Sequence, residues 1–139
     1  MFGRAPQDAG LAAEIEKALN GEYSAIACYE QLAQLAPTAG ERERILEIRS
    51  DEIKHYQVFN DIYTQLTGRQ HQPQMTEKCA TVYKKGLEAS IEDEQKTVDF
   101  YMEIADKAQN PYIKQQFERA AADEQNHAVW FLYYYTKLR

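Results

Sequence analysis

Apolar residues recur at intervals of three and four along nearly the whole chain, which is the period of a helix, and no stretch alternates as a strand would. In the first stretch the spaced positions are Leu11, Ile15, Ala18, Leu19, Ile26, Leu32 and Leu35. Asp8 is placed to cap this helix, and Pro37 lies just beyond its end. Gly21 sits inside it, at a cost of about 1 kcal/mol against alanine. Thr38 and Glu41 have the spacing of a capping box and open a second helix, from about Glu41 to Thr67, with Gly68 as its stop. The segment 69–75 reads as irregular. A third helix opens either at Thr76 or in the Lys84-Lys85-Gly86 region, and the pattern does not choose between them. It ends near Asn110. Asn110-Pro111 has the form of an N-cap followed by proline at the first helical position, and the fourth helix then runs to the last residues. Four helices of roughly 25 to 30 residues predict an all-α bundle.

Short connections join helices one and two and helices three and four, so each pair should form an antiparallel hairpin. The expected layout is one domain over 1–139. Hairpin one spans about 8–67, a crossover about 68–80, and hairpin two about 81–138. The crossover is long enough to pass along the bundle. The chain has 139 residues, 44 % of them hydrophobic, enough for one core. With 16 Lys+Arg against 22 Asp+Glu the formal net charge is −6, and no basic stretch is present, so nucleic acid is not an expected partner. No apolar run is long enough for a membrane span, and MFGRAPQDAG has no apolar leader segment. Cys28 and Cys79 form no CxxC pair and no disulfide framework, so they read as reduced thiols in a cytoplasmic protein.

Shifting the chain by 72 positions superposes it on itself. Glu16, Glu22, Tyr29, Ala33 and Ala36 meet Glu88, Glu94, Tyr101, Ala105 and Ala108. Asp51, Glu52 and His55 meet Asp123, Glu124 and His127, and Phe59, Tyr63, Thr64 and Leu66 meet Phe131, Tyr135, Thr136 and Leu138. These 12 identities fall across positions 15 to 66 without a gap, where typical residue frequencies give about 3 or 4 by chance. Helical periodicity explains matched Ala and Leu. It does not explain matched Glu, Asp, His and Tyr. The chain therefore reads as a duplicated hairpin.

Each half carries Glu-x6-Tyr and then Asp-Glu-x-x-His. Residues three apart on a helix share a face, so Glu52 with His55, and Glu124 with His127, can reach one metal or two neighbouring ones. Glu22 and Glu94 come from the other two helices. Together these six supply the set that di-metal bundles use: one Glu from each of two helices and Glu-x-x-His from each of the other two. Buried carboxylates without partners are costly to ionise, and two divalent cations balance four of them. Mixed oxygen and imidazole ligation suits Fe, Mn or Zn rather than Ca. Asp51 and Asp123 each precede a candidate ligand and can accept the free imidazole N–H. The expected pairing crosses between helices, Asp51 with His127 and Asp123 with His55. Tyr29 and Tyr101 lie two turns beyond Glu22 and Glu94 and read as hydrogen-bond donors to the ligands.

The doubled E-x6-Y…D-E-x-x-H pattern resembles the ferritin-like di-iron carboxylate proteins, most closely the rubrerythrin and erythrin branch, over about residues 8 to 138. The resemblance implies a ferritin-like four-helix bundle built from two duplicated antiparallel hairpins. It also implies a non-haem di-iron site that reacts as Fe(II) with O2 or hydrogen peroxide. The chain departs from that pattern in three ways. It has no rubredoxin-like domain with CxxC pairs, Thr97 stands where an extra helix-three Glu is expected, and it ends right after helix four, which disfavours a large storage shell.

The expected function is a non-haem di-iron oxidoreductase of peroxidase or ferroxidase type, holding two Fe ions, or Mn or an Fe/Mn pair. An external electron donor would supply it. A metal-binding or iron-storage module without turnover, a di-iron hydroxylase and a metal-free assembly bundle are the alternatives, and the polar helices give no sign of the substrate cavity that a hydroxylase needs. The run Trp130, Phe131, Tyr133, Tyr134 and Tyr135 goes round its helix, which points to a homodimer. His71 reads as solvated. Glu14, Glu30, Glu43, Glu47, Glu77, Glu92 and Glu103 read as solvated faces, with Glu30 or Glu103 as candidates to line an access route for iron.

Overall fold

The structure, a computed structural model, describes residues 6–138, with side chains of the first helix described from Gly10 onward. Four helices follow one another: α1 Pro6–Leu35, α2 Ala39–Thr67, α3 Tyr83–Lys107 and α4 Pro111–Thr136. Asp8, expected as a cap, falls inside α1, and its side chain lies outside the described residues, as do residues 1–5 of the segment read as lacking a leader. Thr38 caps α2 by accepting the Glu41 N–H at 3.1 Å, and its own hydroxyl donates to Glu41 Oε2 at 2.9 Å. Gly68 closes α2 at φ 71°, a left-handed conformation that glycine adopts without a Cβ clash. Asn110 Oδ1 accepts the N–H groups of Tyr112 and Ile113 ahead of α4.

The tight pairs are α1 with α2 and α3 with α4. The α1–α3 and α2–α4 faces join the hairpins, and among the described residues the α1 backbone does not approach α4, nor α2 that of α3. Tyr29 meets Glu94, Glu22 meets Tyr101 and Glu14 meets Lys107. These pairs run in opposite order along the two helices, so α1 and α3 are antiparallel. A Cβ on Gly86 would collide with the Leu32 side chain, which marks how closely α1 and α3 approach.

Two apolar layers fill the bundle. One holds Ile15, Leu19, Phe59, Ile104 and Phe117 among others; the second holds Leu32, Ile45, Ile48, Leu87 and Phe131. Phe59 stacks on Phe117 at 4.1 Å between centroids, and Tyr101 meets both rings edge-on. Along each helix, the segment between these layers carries the repeated Glu and His residues.

The crossover settles where α3 begins. Residues 76–82 are not helical, and Val82, the residue before α3, makes no side-chain cap bond. The chain instead lies as a strap along one face of α1. Asn20 Oδ1 accepts the Gln74 N–H at 3.1 Å and bonds His71 Nε2 at 2.8 Å. Ser24 Oγ accepts the Thr76 N–H at 2.8 Å, and Gln31 Nε2 donates to the Ala80 carbonyl at 2.8 Å. Asn20, Ser24, Cys28 and Gln31 are spaced by whole turns of α1, so all four face the strap.

Two expectations fail here. Cys28 and Cys79 are not free thiols: they are joined in a disulfide that pins the strap to α1. The pair is 51 residues apart in sequence, and only the path of the crossover brings the two together. His71 is buried rather than solvated. Burial lowers its pKa and keeps the ring neutral. Its Nδ1 then accepts from the Tyr56 hydroxyl at 2.9 Å while Nε2–H donates to Asn20. Among the described residues no helix is long and apolar enough to cross a membrane.

Candidate metal centre

Glu22 and Tyr29 stand on α1, Asp51, Glu52 and His55 on α2, Glu94 and Tyr101 on α3, and Asp123, Glu124 and His127 on α4. The fold brings the glutamates, aspartates and histidines into the layer between the apolar clusters, and Tyr101 and Tyr29 reach it from the edge of one cluster each. Glu22, Glu52, Glu94 and Glu124 are at most 2 % exposed. Two ligand quartets result, Glu22, Glu52, His55 and Glu124, and Glu52, Glu94, Glu124 and His127, with the donor atoms of each within 4.8 Å of one another. Glu52 and Glu124 belong to both, so they stand where bridging ligands between two cations would stand.

The pseudo-twofold axis implied by the repeat is visible bond by bond. His55 Nδ1 lies 3.1 Å from Glu22 Oε2, and His127 Nδ1 lies 2.8 Å from Glu94 Oε2. Each ring turns its Nε2 to an aspartate of the opposite hairpin: His55 to Asp123 and His127 to Asp51, both at 2.8 Å. The Tyr29 hydroxyl donates to Glu94 Oε1 at 2.9 Å, and that of Tyr101 to Glu22 Oε2 at 2.5 Å. A fourth matched pair, not singled out in the sequence, extends the symmetry. Tyr63 donates to Glu16 at 3.2 Å and Tyr135 to Glu88 at 3.4 Å. All four of those residues were already matched by the repeat.

Charge balance tests whether cations fit here. Among the described residues no Lys or Arg pairs with the four glutamates; the imidazoles are their cationic partners. His55 Nδ1 lies 3.1 Å from Glu52 Oε1 and 3.4 Å from Glu124 Oε1 as well as near Glu22. One ring N–H cannot serve three carboxylates. Glu22 Oε1, Glu52 Oε1 and Oε2, and Glu124 Oε1 are left buried without a hydrogen-bond partner. Buried polar atoms rarely stay unpaired, and such oxygens are what a hard or borderline divalent cation takes. The donor set therefore fits divalent metal cations.

Without cations, protons must balance the cluster. Burial, then repulsion from the other carboxylates, holds Glu52 and Glu124 well above the ordinary glutamate range. Burial alone would lower both histidines. For His55 the bonds to Asp123, Glu124, Glu22 and Glu52 outweigh it and raise the pKa; for His127 the bond to Glu94 and the charges around it push it up to about 9. Burial and the neighbouring carboxylates keep Tyr29 and Tyr101 as phenols. Burial also opposes ionisation of Asp123, but His55 and Arg119 prevail and lower its pKa.

A cavity of about 420 Å³ leads from the surface between α1, α3 and the strap to these residues. Lys17, Thr76, Glu77, Asp93 and Lys96 lie along it, and Glu22, Glu52, Glu94 and Glu124 also line it. Its presence corrects the expectation that no substrate-sized space adjoins the carboxylates. Glu77 is exposed, as expected for a solvated face, and also lines the mouth of this cavity, where desolvation and Asp93 push it up to about 7. Glu30 and Glu103 are exposed and do not line it. Of the aromatic run, Phe131 and Tyr134 are buried and Trp130 packs under Arg44 at 4.0 Å, leaving Tyr133 half exposed beside Val129 and Leu132.

The sequence model of the rubrerythrin family matches residues 85–139, most of the second hairpin. The uncharacterized protein YhjR of Bacillus subtilis is 49 % identical over 128 residues, covering 92 % of this chain and 88 % of that protein. The chain belongs to the rubrerythrin family. In this rubrerythrin-family chain, the repeat carries the geometry of the matched hairpin over to residues 15–66. Solved structures agree on the ferritin-like fold. Bacterioferritin of Desulfovibrio desulfuricans, whose structure contains a diiron site, aligns at TM-score 0.83 and 21 % identity, over 98 % of this chain and 84 % of that one. A hypothetical protein of Pyrococcus furiosus aligns at TM-score 0.77 and 17 % identity, over 91 % and 88 %.

Proposed function

We propose that this chain is a non-haem di-iron oxidoreductase that reacts with hydrogen peroxide or O2. The observation that carries this reading is the pair of buried quartets sharing Glu52 and Glu124, with unpartnered carboxylate oxygens at their centre. Glu22, Glu52, His55 and Glu124 would hold one ion, and Glu52, Glu94, Glu124 and His127 the other. Bound iron would supply the electrons for reduction of the oxidant. Asp51 and Asp123 fix the imidazoles with Nε2 protonated, which leaves Nδ1 free to face the carboxylates. Tyr29 and Tyr101 hold one oxygen of Glu94 and Glu22 in place and have hydroxyl protons to offer at the site. The cavity opens to the surface and admits small oxidants. In the same reading the chain is cytoplasmic, takes electrons from an external donor, and pairs as a homodimer through the exposed Val129, Leu132 and Tyr133 face of α4. Manganese in one or both places meets the same donor set.

The cavity favours a second reading, oxygenation of a small organic molecule, because its volume falls in the range of ligand pockets. Anaerobic Fe(II) titration of the chelated protein, followed by O2 or peroxide, tests both. We expect ferrous binding to saturate at two ions per chain, as the two quartets require, with oxidation following and His55→Ala losing metal. Binding far beyond that ratio would point to storage. Unchanged metal content in His55→Ala would remove the assignment. Oxidation that needs an added organic substrate would favour the oxygenase.

A further inference from the structure

We propose that the Cys28–Cys79 disulfide is a redox latch on the crossover strap, and that its state sets how fast cations and oxidant reach the carboxylates. The proposal rests on the metal-centre reading above. Three observations converge on it. The strap forms one wall of the cavity, because Thr76 and Glu77 line it together with the carboxylates. The wall is held on both sides of those two residues. Toward the α2 end, His71 is fixed between Tyr56 and Asn20, and the Gln74 and Thr76 amides are tied to α1. Toward α3, the disulfide lies two residues from Glu77, followed by the single Gln31 bond to Ala80. Breaking the covalent tie therefore leaves the Glu77 side of the strap with one neutral, part-buried hydrogen bond to α1 before α3 begins, and a single bond of that kind is worth only about 1 kcal/mol. Finally, both cysteines are partly exposed, so a thiolate can reach the sulfurs.

The chemistry closes on named reactants. An external dithiol attacks one sulfur, forms a mixed disulfide, and its second thiol resolves it. Two electrons and two protons pass to Cys28 and Cys79, and the dithiol leaves as its own disulfide. Peroxide reverses the change, since two thiols and one hydrogen peroxide give a disulfide and two waters. Exposed disulfides in reducing compartments are the labile and regulatory ones, which suits such a switch.

The test uses the full chain, freed of metal, as the oxidised protein, as the same protein reduced with a phosphine, and as the Cys28→Ser/Cys79→Ser variant. Trypsin cleavage after the exposed Lys78, beside the disulfide, reads the freed side of the strap, and stopped-flow uptake of Co(II) reads access. We expect cleavage about tenfold faster in both open forms, faster cobalt uptake, and the same final cobalt content. Unchanged cleavage in the reduced wild-type protein overturns the latch. Faster cleavage with unchanged uptake overturns the gate. Absence of cobalt binding in every form overturns the metal-centre reading itself and the gate with it.

Discussion

Asp51 and Asp123 each hold an imidazole from the other hairpin by its outer nitrogen, so the inner nitrogen faces carboxylates in both halves. In the metal-free protein this arrangement has a pH signature. Glu52, Glu124, His55 and His127 all have raised pKa values, so the folded chain binds more protons than the unfolded one, and stability falls as pH rises. The His127 contribution is full below its unfolded value of 6.5 and is lost as pH passes about 9. Asp123, with a lowered pKa, acts in the opposite sense, and its contribution is lost only in acid. We expect the melting temperature of chelated protein to drop across that interval. Metal-loaded protein should not follow, because cations replace the protons. Parallel curves with and without metal would contradict this account.

Helices α2 and α4 were legible in the sequence because side chains mark their ends, Thr38 and Gly68 for one and Asn110-Pro111 for the other. Replacing Asn110 by Ala should destabilise the fold by about 1 kcal/mol, read as a shift in the urea midpoint with an unchanged slope. The start of α3 carries no such mark. Val82 caps nothing with its side chain, and the helix begins where the strap turns away from α1. The candidate site was legible for another reason, since the repeat listed polar residues that a helix alone does not require. The disulfide and the His71 cluster were not legible, because their partners on α1, Asn20 and Cys28, have no counterparts in the repeat and meet the crossover only in three dimensions.

At the scale of the whole molecule the two halves are equivalent around the shared Glu52 and Glu124. Glu22→Gln and Glu94→Gln should then weaken metal binding to a similar degree, each affecting one of two ions, whereas Glu52→Gln should weaken both. Calorimetric titration separates these outcomes, and a large difference between Glu22→Gln and Glu94→Gln would show that the axis is broken. The symmetry also bears on how the molecule is assembled. Glu22 takes the hydroxyl of Tyr101, Glu94 that of Tyr29, and each histidine leans on the other hairpin's aspartate. Neither hairpin can finish a quartet by itself, because each quartet needs a glutamate from the other. In the proposed reading, tight metal capture follows docking of the hairpins in register, so an ion would behave as a rivet that goes in last and certifies that the two hairpins are aligned.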